Sequence, residues 1–143
     1  MSNRVWPEMS RKNFERTKVY LRTLADGLGL RDWSFELARA PLDPHSGNVA
    51  TIVPTFGQRE AVVTLCHDYP TKSPDYRRYV LVHELLHCHL DRIMTPFREN
   101  RVLWRLIGAA AADVIDDQVR ENIEHAVDAI AREMAPHLPL PSR

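Results

Sequence analysis

Between Pro74 and Ile93 the chain carries Tyr79, Val80, Leu81, Val82, Leu85, Leu86 and Leu90, which cover most of the circumference of a predicted helix. A helix apolar on nearly all sides is stable only between other layers of structure, so this segment must cross the interior. Ser73-Pro74 supplies its start, because serine caps free N–H groups and proline suits the first helical position. The same segment holds His83, Glu84 and His87. Two imidazoles and a carboxylate inside a core are costly unless a partner compensates their burial.

The flanking sequence supplies the layers. From Arg11 to Leu30, Phe14, Val19, Tyr20, Leu24 and Leu28 keep roughly helical spacing, with Gly27 and Gly29 as a stop. From Trp33 to Ala38, apolar and polar residues alternate as in a half-buried strand, until Pro41 and Pro44 break the pattern. Two β-rich runs, Val49 to Thr55 and Ala61 to Cys66, flank Phe56-Gly57-Gln58-Arg59-Glu60 and predict a hairpin. Pro54 suits an edge or irregular position. Beyond Pro96, the stretch from Glu99 to Ala135 predicts one long helix or two shorter ones, ended by Pro136, Pro139 and Pro141. The expected fold is a single α+β domain over residues 1–143. It has an N-terminal helix, a small, mainly antiparallel three-stranded sheet, the buried helix and C-terminal helices.

A hydrophobic content of 44% beside 27% charged residues is enough for a packed core and argues against disorder. Nineteen basic and nineteen acidic residues cancel, so no overall field draws the chain to nucleic acid or an anionic membrane, and neither is expected as a partner. The one local basic cluster, Arg77-Arg78 with Arg98 and Arg101, reads as solvated helix faces. Residues 1–7 lack the apolar stretch of a secretory signal, and no run has the length of a membrane span. Cys66 and Cys88 lack a paired spacing, which fits a reducing compartment and gives both a packing role. A cytoplasmic location is the expectation.

Residues four apart on a helix differ by about 40° in azimuth and about 6 Å in height, so His83 and His87 can present their imidazoles to one zinc ion. Glu84, one step from the first histidine, can reach a water on that ion without ligating it, as a general base must. A catalytic zinc takes three protein ligands, so one more donor is required. The best region is Glu121-Asn122-Ile123-Glu124-His125-Ala126-Val127-Asp128. There Glu124 can ligate while Asp128, one turn on, orients a ligand histidine. Glu121, His125, Asp113, Asp116 and Asp117 remain alternatives for the third ligand. Asp91 can accept the second imidazole proton of His87 or lie on the surface. His89 lies about 240° around the helix from His83 and cannot join the same ion. His45, His67 and His137 stand in loop-like or terminal contexts and receive no role as metal ligands.

His83-Glu84-Leu85-Leu86-His87 followed by Glu124-His125-Ala126-Val127-Asp128 resembles the gluzincin metallopeptidases, in which His-Glu-x-x-His precedes a ligand glutamate on a later helix, commonly with an aspartate four residues beyond. The small size and element order look most like the compact ImmA/IrrE-type peptidase domains and other small phage or bacterial metallopeptidases. The resemblance spans roughly residues 61–136. It implies a zincin-like fold and a Zn2+ ion on His83, His87 and Glu124. It further implies hydrolysis of a protein or peptide substrate by a zinc-activated water with Glu84 as general base. Strand Ala61 to Cys66 would pair with the extended peptide. Tyr69, Tyr76, Tyr79 and His67 are candidate oxyanion donors. Two other functions stay open: a zincin-fold module that binds a partner without cutting it, and a zinc hydrolase of a non-peptide bond.

Overall fold

The computed structural model describes residues 6–55, 57–99 and 101–142. The expectation about the N-terminal segment therefore falls mostly outside the described residues, as does Phe56 of the hairpin loop. Helix α1, Arg11–Gly27, begins where the Ser10 side chain accepts a hydrogen bond from the Asn13 N–H at 3.3 Å. It ends where Gly29 takes φ +77°, a conformation glycine adopts without strain. The buried stripe is Phe14, Thr17, Tyr20, Leu21, Leu24 and Ala25. Val19, counted by spacing among the apolar positions, instead faces solvent at 68% exposure. The polar member of the stripe, Thr17, is satisfied within the helix by donating to Asn13 O at 2.7 Å.

Three strands, β1 (Ser34–Leu37), β2 (Ala50–Pro54) and β3 (Glu60–Leu65), form one sheet in the order β1-β3-β2. β2 runs antiparallel to β3, with Ile52 opposite Val63, while β1 runs parallel to β3, with Phe35 opposite Ala61. The sheet is mixed rather than mainly antiparallel. The hairpin docks with β3 inward because Ala61, Val63 and Leu65 are its most buried alternating positions. β2 carries Pro54, which has no N–H for a second neighbour, and lies at the edge.

Helix α2, Pro74–Glu99, is the interior helix, with Val80, Leu81, Val82, Leu85, Leu86 and Cys88 buried among α1, β2 and the C-terminal helices. It continues past Pro96, farther than the expected end near Ile93. A proline removes one ladder hydrogen bond, and here that does not end the helix. Helix α3, Arg101–Ile107, and helix α4, Ala109–Met134, are divided at Gly108, whose φ of +83° a side chain would oppose. The two-helix form of the expectation is thus the observed one.

α4 packs along α2 and contributes Val127 and Ala131 to the core. Full burial of Leu24, Leu81 and Leu85 contributes about 1.5–3 kcal/mol each. The tail beyond α4 folds back over α1 and α2. Tyr20 donates its hydroxyl hydrogen to Pro139 O at 2.8 Å, and Arg78 Nη1 donates to Leu138 O at 2.8 Å. Among the described residues, no helix is long and apolar enough to cross a membrane.

Candidate metal centre

α2 and α4 lie against each other so that His83 and His87, one turn apart, meet Glu124. His83 Nε2 lies 3.3 Å from Glu124 Oε2, His87 Nε2 lies 3.3 Å from Glu124 Oε1, and the two Nε2 atoms are 3.4 Å apart. Among the described residues this is the group of three donors able to hold a metal ion. Zinc bonds to histidine nitrogen and carboxylate oxygen are about 2.0–2.2 Å long, so tetrahedral ligands stand about 3.3–3.6 Å from one another. The two histidine nitrogens stand at that separation, and each stands about as far from a different oxygen of the Glu124 carboxylate.

The surrounding charges fit a cation at the centre of the triangle. Burial holds the His87 imidazole below its ordinary pKa, against the pull of Glu124, which favours the neutral form that ligates metal. Asp128 Oδ1 faces the outer nitrogen of His83, Nδ1, at 3.9 Å. Tyr79 donates its hydroxyl hydrogen to Asp128, and Arg132 Nε donates to the other carboxylate oxygen at 3.0 Å. The Tyr79 hydrogen bond, aided by Arg132, holds the Asp128 carboxyl below the usual carboxylate range, so it stays anionic behind the histidine.

Glu84 sits beside the triangle and offers no atom to it. Burial, followed by the neighbouring Glu124 charge, pushes its carboxyl up to about 8, while the Ile52 backbone N–H opposes the rise. A divalent cation on the three donors would pull that value back down.

That N–H belongs to an open strand edge. Thr55 donates to Glu60 O and Cys66 donates to Val49 O, so in an antiparallel ladder the alternate residues 49, 51, 53 and 55 bond to β3. Ala50 and Ile52 turn their N–H and C=O groups away from the sheet, over Glu84. A cleft of about 400 Å³ runs between this edge and α4, floored by His83, Glu84 and His87 and walled by Asn48, Ile123 and Arg120. A second hollow beyond Glu84, bordered by Asn48, Tyr76 and Tyr79, carries the groove onward along β2. The strand expected to pair with a peptide, Ala61 to Cys66, is corrected by this topology. Both edges of β3 are already occupied, and the free edge at the site is that of β2.

The other candidates lie elsewhere. Glu121 and His125 are exposed and face each other at 3.8 Å on the outer side of α4. Asp116 pairs with Arg120, and Asp113 and Asp117 are exposed. His89 bonds the Leu28 carbonyl at 2.7 Å, and Asp91 borders the cleft. Of the oxyanion candidates, Tyr69 is buried and donates to Arg77 O, and His67 stacks on Trp6. Tyr76 and Tyr79 flank the groove. Asn48, Ile52 and Arg120 had no sequence signal, because their role comes from facing the site across elements. Tyr79 had one: it stands four residues before His83, on the same helix face.

Neither the family models nor the curated proteins nor the solved structures contain a match for this chain.

Proposed function

We infer that this chain is a zinc-dependent metallopeptidase of gluzincin type, with His83, His87 and Glu124 as ligands and Glu84 as general base. The observation that carries the reading is the convergence of the His83 and His87 Nε2 atoms, 3.4 Å apart, on the Glu124 carboxylate, whose two oxygens each lie 3.3 Å from one of the rings, beside a second carboxylate, Glu84, left out of the group. A zinc ion held by these residues would lower the pKa of a water toward neutrality and polarise a carbonyl. Glu84 would take the proton of the attacking water as its oxygen bonds to the scissile carbon, and return it to the departing amine as the C–N bond breaks. Asp128 faces Nδ1 of His83 and so keeps the Nε2 of that ring turned toward Glu124.

The substrate reading rests on the β2 edge. An extended peptide adds to exposed N–H and C=O groups as a further strand, and this edge lies directly above Glu84. A groove open on both sides of Glu84 accommodates chain on both sides of the bond to be cut, as an endopeptidase requires.

The test measures zinc by elemental analysis and cleavage of a peptide library by mass spectrometry, in the parent and in Glu84→Gln. The reading expects one zinc per chain in both proteins and a loss of about 10²–10⁴ in kcat for the variant. Equal cleavage by the two proteins would sink the role of Glu84, and a zinc-free parent from a zinc-replete preparation would sink the reading itself.

A further inference from the structure

Arg77 and Arg16 meet at a cleft separate from the metal-binding triangle. Arg77 lies in the first turn of α2 and Arg16 on α1, and with Tyr20, Tyr69, Asn13 and Ser142 they line a hollow of about 190 Å³. Residue type alone puts Arg77 and Arg78 on solvated helix faces. The structure instead half-buries both and removes their Nε atoms from solvent, while the side chains of Arg98 and Arg101 lie outside the described residues.

Arg78 spends its charge on Asp75 at 2.8 Å and on the Leu138 carbonyl. Neither Arg77 nor Arg16 has a carboxylate partner among the described residues, and the buried Arg77 Nε has no hydrogen-bond partner there. A guanidinium partly withdrawn from water without a counter-charge is costly, and protein interiors rarely leave one so. Among the described residues, no acidic side chain lines the hollow. The two tyrosine hydroxyls are already committed as donors, Tyr20 to Pro139 O and Tyr69 to Arg77 O, so they fix the walls. The free donors are the guanidiniums, with the Asn13 amide and the Ser142 hydroxyl beside them.

We propose that this cleft binds an oxyanion, a carboxylate or phosphate group carried by another molecule, held by the Arg77 and Arg16 guanidiniums. The planar fork of N–H groups on arginine matches two oxygens of such a group, and the match is strongest where water is partly excluded. The volume selects for size: it lies below the roughly 300 Å³ at which pockets for drug-sized ligands begin, so it takes a single oxyanion group and no nucleoside phosphate. The site is independent of the peptidase reading, and its test uses neither zinc content nor proteolysis.

The experiment is thermal unfolding of the full chain near neutral pH at constant ionic strength, titrated separately with inorganic phosphate and with acetate. A ligand that binds only the folded chain raises the midpoint in a saturating way. The expected result is such a rise with at least one anion, with apparent affinity lowered about tenfold or more in Arg77→Gln and in Arg16→Gln. Arg59→Gln, which removes a surface partner of Asp32 on the sheet side, should respond as the parent does. Saturation by phosphate alone assigns a phosphoryl ligand, and by acetate alone a carboxylate; both outcomes support the site. No saturating response, or the same response in Arg16→Gln as in the parent, overturns it. Arg16 is exposed, so that variant keeps the test decisive even if Arg77→Gln fails to fold.

Discussion

The hydroxyl of Tyr79 donates a hydrogen bond to Asp128, a residue 49 positions later on another helix. The bond ties α2 to α4 at the level of His83 and holds the Asp128 carboxylate opposite the outer nitrogen of that ring. The histidine is thereby turned with its other nitrogen toward Glu124. Removing either partner should loosen the ring without removing a ligand. Zinc affinity is expected to fall about 10–100-fold in Asp128→Asn and less in Tyr79→Phe, measured by competition with a chelator. Unchanged affinity in both would show that the contact serves packing alone.

The ligand assignment separates two glutamates three residues apart. Glu124→Ala should weaken zinc binding by more than the loss of any outer partner, roughly 100-fold or beyond, because it removes one corner of the triangle. Glu121→Ala, on the outer side of α4 beside His125, should bind zinc as the parent does. Removing the metal with a chelator should lower the thermal midpoint of the parent, since zinc at a hundred times its Kd adds about 2.7 kcal/mol to folded-state stability. In Glu124→Ala that metal-dependent shift should be largely lost.

The ladder pattern of β2 predicts a contrast between neighbouring prolines. Val53 stands at a position whose N–H bonds to β3, so Val53→Pro should cost about 1–3 kcal/mol in urea unfolding, from the lost ladder bond and the β3 carbonyl left unpaired. The Ile52 N–H turns outward to Glu84, so Ile52→Pro should cost markedly less stability while lowering kcat/KM for peptide cleavage. A larger stability loss at Ile52 than at Val53 would mean that the open edge is assigned to the wrong face.

The Asp68 carboxyl is held below its ordinary range, first by a hydrogen bond from the Cys66 thiol at 2.7 Å and then by Lys72. The Cys66 thiol, in turn, is pushed up to about 11 by burial and by that same bond. A depressed folded-state pKa stabilises the fold above the unfolded value of about 4, and that contribution is lost as pH falls through the lowered value. Asp68→Asn should therefore be less stable than the parent at pH 7, by under about 1 kcal/mol because the carboxylate is 41% exposed. The difference should close on acidification below about pH 4. A gap that persisted there would assign the effect to packing.

On α1, Leu24→Ala should cost about 2–5 kcal/mol, as expected for a fully buried leucine. Val19→Ala, at an exposed position, should stay within about 0.5 kcal/mol of the parent by thermal unfolding.

The features the sequence determined by itself are those set by neighbours a few residues apart. The start of α2 at Ser73-Pro74, the stop of α1 near Gly29, the two histidines on one face of a helix apolar on nearly all sides, and the edge position marked by Pro54 follow from periodicity and backbone limits acting locally. The placing of Glu124 and Asp128 one turn apart on a single helix is likewise a matter of local spacing. The tertiary structure decided what depends on contacts between distant segments. It put β3 in the centre, with β1 parallel to it, because the hairpin buries its more apolar strand against the rest of the chain. It turned Val19 outward and withdrew the Arg77 Nε from solvent, although spacing and residue type suggested the reverse. It also set the edge of β2 over Glu84 and brought Tyr79 to Asp128. The total burial of the folded chain selects such pairings, and no short window of sequence contains that total.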